Sequence, residues 1–130
     1  MPDMPMERAA TAERPSAAPL ANEIVERQID AFNRQSLDDF MACFTDSAEL
    51  LIDGTVAASG HEALRDVYGR QFAGTPLHAT VLSRMTQAEW VVDRELAVGP
   101  DGTTMTVLVL YRIREGLIDR VDFVGQLVGS

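Results

Sequence analysis

The chain has 130 residues, 46% of them hydrophobic, enough for one compact domain and too few for two independent cores. Its net charge of −9, with eleven basic residues scattered among twenty acidic ones, offers no basic stripe for a phosphate backbone and argues against nucleic acid as a partner. All the basic residues are arginine, which removes Schiff-base and lysine general-base chemistry, and the single Cys43 can form neither an intrachain disulfide nor a multi-cysteine metal site.

The N-terminus shows no basic stretch leading into an apolar one, and no apolar run is long enough to cross a bilayer, so the expected location is cytoplasmic with no membrane partner. Residues 1–19 hold four of the six prolines and no apolar period, and they read as a disordered tail ahead of one domain over 20–130. Helical spacing begins near Asn22, a candidate N-cap, with Ile24, Val25, Ile29 and Phe32 on one stripe. Gln28 lies on that stripe, and a buried amide there is either satisfied by a neighbouring turn or exposed to a pocket. Ser36 with Asp39 reads as a capping box for a second, short helix that presents Leu37, Phe40 and Phe44 on one face.

From Ala48 to Asp53 the period changes to two, with Ala48, Leu50 and Ile52 on one side of a strand. Ser59 with Glu62 reads as another capping box, opening a helix that carries Leu64, Val67, Tyr68 and Phe72 on its apolar stripe. His61 falls in the first turn and reads as solvated. Strands are expected over 77–86 and 89–98. In the first, His78, Thr80 and Arg84 share a face polar enough for solvent or a pocket mouth. In the second, Arg94 interrupts the row Trp90, Val92, Leu96, Val98. A charge in such a row must be paired or point into a cavity or interface, so Arg94 is the candidate anchor for a carbonyl or anionic group, with an ion pair as the competing role. Asp93 and Glu95 fall on the opposite side and read as a solvated or interfacial face.

The densest alternation runs from Thr103 to Val128, two long strands that place Val107, Val109, Tyr111, Val121 and Phe123 on one dry face. A two-residue turn would force Glu115 to positive φ. The reading therefore takes a three-residue loop ending on Gly116, which pairs Ile113 with Leu117, Val109 with Val121 and Val107 with Phe123. Leu108, Leu110 and Leu96 then lie on the outer face, apolar enough to call for a homodimeric mate.

The order helix, short helix, strand, helix, four long strands resembles the nuclear-transport-factor-2-like superfamily, in particular its SnoaL-like and ketosteroid-isomerase-like branch. The resemblance covers 22–126. It rests on 24–44 with its Asn33 elbow and capped Leu37-Asp38-Asp39-Phe40, on the Ser59-Gly60-His61-Glu62 start of the helix bearing Tyr68, and on 111–125. It implies an α+β cone, a curved antiparallel or mixed sheet wrapped around three N-terminal helices, with an apolar pocket and a dimer through the outer sheet face. It also implies positions for the isomerase residues: the helix tyrosine falls on Gln28, the general base on Ile52 and the oxyanion-hole acid on Val109. None of these residues can do that chemistry. The late-strand acid of SnoaL-like cyclases falls on Phe123, with Asp122 one residue out of phase.

Two readings compete on these residues. The first is a binding domain for a small apolar molecule without cofactor, its pocket drawn from Gln28, Phe32, Phe44, Ile52, Tyr68, His78, Arg94, Val109, Tyr111, Val121 and Phe123. The second is an isomerase, cyclase or hydratase of a small hydrophobic carbonyl compound, with a polar set taken from Gln28, Tyr68, His78, Arg94 and Tyr111. A metal or heme site on His61 and His78 has no support, because the two lie on separate elements.

Overall fold

A computed structural model describes residues 18–129, so residues 1–17 of the segment expected to be disordered lie outside the described residues, while 18 and 19 open the first helix instead. Helix α1 (Ala18–Asn33) is followed by the short α2 (Leu37–Met41), strands β1 (Phe44–Ile52) and β2 (Thr55–Ser59), helix α3 (His61–Ala73), and then β3 (His78–Gln87), β4 (Trp90–Val98), β5 (Thr104–Arg114) and β6 (Leu117–Val128). The strands form one sheet in the order β2-β1-β6-β5-β4-β3. Every neighbouring pair is antiparallel except β1 and β6, which run parallel. The sheet curves around the helices, and the fold is the α+β cone that the resemblance implies.

The core lies between helices and sheet. Val25 and Ile29 of α1, Phe40 of α2 and Leu64 and Tyr68 of α3 meet Val91, Val109, Tyr111, Ile118 and Val121 from the inner sheet face. Phe40 is the aromatic hub, with ring centroids 4.4 Å from Tyr68, 5.1 Å from Phe44 and 5.4 Å from Phe72. Such close, tilted rings add directional packing to the area they bury.

Several local expectations are corrected. Helix α1 starts at Ala18, four residues before Asn22, whose side chain accepts a hydrogen bond from Thr86 Oγ1 at 2.7 Å instead of capping. The N-cap of α3 is Gly60, not Ser59, and Ser36 sits at the N-cap of α2 without a side-chain bond. With φ at +95°, position 60 suits glycine and no residue with a Cβ, so backbone geometry rather than a hydroxyl starts that helix. Strand β2 had no counterpart in the sequence reading. It follows a two-residue turn in which Asp53 and Gly54 are both left-handed.

The β5–β6 hairpin also closes through two residues, Glu115 and Gly116, at φ of +53° and +80°. This is the turn whose twist matches the strands, and that match outweighs the cost of positive φ at Glu115. Arg114 therefore pairs with Leu117, and Ile113 with Ile118. A bulge at Asp119 then shifts the register, so that Val121 faces Tyr111 and Phe123 faces Val109. The bulged carboxylate is held by Arg112 at 2.6 Å and Thr45 at 3.0 Å. A second bulge, at Gly125, receives the Asp53 carboxylate on its N–H at 2.9 Å and turns Gln126 towards the helices.

Candidate functional site

Between α1, α3 and the inner face of the sheet lies a cavity of about 240 Å³. Ile29, Phe32, Val67, Leu50, Val107 and Phe123 make its apolar wall, and Gln28, Tyr68, Gln71, Glu95, Tyr111 and Gln126 supply its polar groups. Among the described residues, Glu95 is the one charged side chain in the lining.

Strand parity places it there. The inward row of β4 is Val91, Asp93, Glu95 and Ala97, and the rungs across to β5 are Val91 with Tyr111, Asp93 with Val109 and Glu95 with Val107. Tyr111 nevertheless donates its hydroxyl hydrogen to Glu95 Oε2 at 2.7 Å. Its ring must lie along the sheet past the Asp93–Val109 rung, which accounts for Val109 being fully buried without lining the cavity. Glu95 is 7% exposed. Burial pushes its carboxyl up from the usual carboxylate range to about 7; the Tyr111 hydrogen bond and the Arg84 charge pull it down, and the neighbouring Asp93 charge pushes it up. The Tyr111 hydroxyl is raised well above the usual phenol value by burial and then by Glu95, and Tyr68 is raised for the same two reasons.

Asp93 is wholly buried and is held by the register of the β3–β4 hairpin, which sets Arg84 directly opposite. Arg84 grips it with Nε to Oδ1 at 2.7 Å and Nη2 to Oδ2 at 2.8 Å, and its third nitrogen reaches Glu26 of α1 at 2.6 Å. The fork geometry suits a planar guanidinium, and the pair with Asp93 holds the Arg84 charge firmly in place.

Of the eleven residues expected at a pocket, the structure brings Gln28, Phe32, Ile52, Tyr68, Tyr111 and Phe123 to this cavity. Phe44, Val109 and Val121 are buried in the packing beneath it. His78 is exposed at the start of β3, beside a different hollow with Asn33 and Pro76. Arg94 lies away from the cavity: it is exposed on the outer face, between Ser83 of β3 and Leu108 of β5, and among the described residues it forms no ion pair with Asp93, Glu95 or Asp122 across the sheet. The apolar row that it interrupts is the outer row. Asp93 and Glu95, expected at a solvated face, are the inward pair. One signal pointed to them: with a two-residue turn at Ala88 and Glu89, Arg84 falls opposite Asp93, an opposite-charge rung that only the inner face needs.

Among the described residues no group of three or more His, Cys, Asp or Glu could hold a metal ion, and no helix is long and apolar enough to cross a membrane. Chemically, the site offers a carboxyl that titrates near neutrality within an apolar wall, with a phenol donating to its charged form.

The SnoaL-like domain family matches residues 25–121 of the chain. No curated protein sequence matches it. Among solved structures, a candidate ketosteroid isomerase from Kribbella flavida superposes with a TM-score of 0.74 at 14% identity, covering 84% of this chain and 79% of that one. An uncharacterised cystatin-fold protein from Novosphingobium aromaticivorans gives 0.72 at 25% identity, covering 81% and 97%. A computationally designed 17-OHP binder gives 0.72 at 15% identity, covering 85% and 97%.

Proposed function

The chain belongs to the SnoaL-like domain family, within the nuclear-transport-factor-2-like superfamily, and from that premise we propose that it binds a small, mainly apolar molecule and transfers a proton to or from it through Glu95. The observation that carries the reading is the Glu95 carboxyl, near 7 and bonded by Tyr111, in the wall of an apolar cavity. A general acid or base works best when its pKa lies close to the working pH, and burial is what brings a carboxyl there. The isomerase positions Ile52 and Val109 are apolar, and the carboxyl that lines this cavity, Glu95, stands on a different strand, β4. A weakly acidic carbon acid of fitting size, 2-tetralone in D₂O, probes the reaction. Its α-hydrogens should exchange at least tenfold faster with the protein than with buffer, and Glu95→Gln should abolish the difference. Tight binding with no exchange would leave the second reading, a carrier or sensor, which the designed binder of the same fold makes concrete.

The same proposal has two copies meeting through the outer sheet face. Met85 and Leu108 lie there 67% and 41% exposed, Met85 on one rung with Val92 and Leu110, Leu108 on the next outward rung beside Arg94, and Leu96 on the one after. Apolar groups gathered on one sheet face are what a twofold mate would cover. Sedimentation equilibrium at micromolar concentration should give twice the chain mass, and Leu108→Arg should reduce it to one.

A further inference from the structure

We infer that the cavity takes a cation, a small apolar amine whose ammonium group pairs with Glu95, and rejects carboxylates and phosphate esters. This takes the cavity as the ligand site, the premise of the proposal above, and adds the ligand's charge.

The two oxygens of the Glu95 carboxylate differ. Oε2 accepts the Tyr111 hydroxyl hydrogen at 2.7 Å. Oε1 has no hydrogen-bond partner among the described residues, and it is not sealed from the cavity as the Oε1 atoms of Gln28 and Gln71 are. No cation of the chain completes the charge. Arg84 commits all three nitrogens to Asp93 and Glu26, and among the described residues no Arg or His lines the cavity. A buried carboxylate needs a partner of opposite charge, and this one has a single phenol hydrogen bond and an open oxygen. An ammonium group in the cavity supplies that partner.

The wall favours the same occupant. Phe32, Tyr68, Tyr111 and Phe123 line the cavity, and the negative faces of aromatic rings attract a cation but not an anion. A carboxylate or phosphate would enter an apolar wall with nothing to neutralise it and with Glu95 to repel it. The net charge of −9 draws cations towards the chain as a whole. Size sets the remaining limit. A cavity of about 150 Å³ accepts benzene, so one of about 240 Å³ fits a mono- or bicyclic amine of about ten non-hydrogen atoms.

The groups facing Glu95 set the direction of the pH dependence. Asp93 beside it on β4 raises its carboxyl, while Tyr111 of β5 and Arg84 of β3 lower it. Tyr68 of α3 is raised and stays neutral, and the lining from α1, β1 and β6 carries no titratable group among the described residues. An ammonium ion binds the ionised carboxylate, so its affinity rises with pH through about 7.

Three achiral probes of nearly one shape test this: 2-aminoindane, 2-methylindane and indane-2-carboxylate, titrated against the full chain while the methyl NMR signals of Ile29 and Val107 are followed. At pH 8 the amine should bind about tenfold or more tighter than methylindane, with the carboxylate weakest. From pH 6 to pH 8, where the amine stays protonated, it should tighten by about tenfold while methylindane does not, and the Glu95 midpoint should fall in the amine complex. Glu95→Gln should remove both the preference and the pH effect. Methylindane binding as tightly as the amine to the wild type at pH 8 would overturn the cation and keep the ligand site, as would an amine affinity indifferent to pH or a preference that survives Glu95→Gln. Binding by none of the three would overturn both. Tetralone exchange is read separately, so proton transfer by Glu95 can stand where the amine preference fails.

Discussion

Arg84→Met should lower the Tm by more than about 10 °C at pH 7, the largest loss expected of any single side chain in the site. Asp93 is fully buried and takes both of its strong hydrogen bonds from that guanidinium. Removing one partner of such a pair leaves an uncompensated charge in the core and costs about 3 to 5 kcal/mol. The contact with Glu26 adds little, since that carboxylate is 61% exposed. A double variant, Arg84→Met with Asp93→Leu, should recover most of the loss, because two apolar side chains of similar volume need no counter-charge. NMR titration of Glu95 supplies a readout that general destabilisation would not move. Arg84 lowers the Glu95 pKa and Asp93 raises it, so the midpoint should climb above about 7 in the single variant and fall again in the double. A single variant that melts with the wild type would mean that the Arg84–Asp93 pair does not hold the inner face of β4 in place.

The helices were legible because each has only one buried face. An apolar stripe at helical spacing assigned Val25, Ile29, Leu64 and Tyr68 to the core, and the polar residue breaking the stripe, Gln28, was legible as buried but not as to whether it meets a turn or the cavity it lines. The inner face of β5 was equally clear, since its row runs from Met105 to Ile113 without a charge. Strand β4 was not. Its outer row of Trp90, Val92, Leu96 and Val98 is more apolar than its inner row, which carries Asp93 and Glu95, so hydrophobicity pointed to the wrong side. What reverses the assignment is pairing that lies outside the strand: Arg84 reaching Asp93, and Tyr111 reaching Glu95 from two rungs away. The β6 register departs first at the turn, where Glu115 takes the positive φ that the sequence argues against, and then at the bulges. Those at Asp119 and Gly125 are held by Arg112, Thr45 and Asp53 through contacts that strand alternation does not reveal, and each bulge shifts every rung beyond it.

The same buried carboxyl makes stability depend on pH in a direction opposite to most carboxylates. The Glu95 pKa is about 7 in the folded chain against an ordinary 4.5, so between those values the folded state holds more protons than the unfolded state. Stability from this group is therefore fully present below about pH 4.5, falls as the pH rises, and is lost above about 7. A rise from 4.5 to about 7 corresponds to about 3 kcal/mol, at roughly 1.4 kcal/mol for each pH unit. Asp119 works against this only at the acid end, where its lowered pKa makes it lose stability as it protonates. Glu95→Gln keeps the shape and the acceptor for Tyr111 but carries no charge. The variant should match the wild type near pH 5 and exceed its Tm by roughly 5 to 10 °C at pH 8, with the decline between them flattened. Tyr111→Phe should do the reverse. It takes away the hydrogen bond that lowers the Glu95 pKa, so the decline should extend above pH 7. A Glu95→Gln variant that loses stability at pH 8, or keeps the wild-type slope, would mean that Glu95 is hydrated rather than held in the apolar wall, and the proton-transfer role would fall with it.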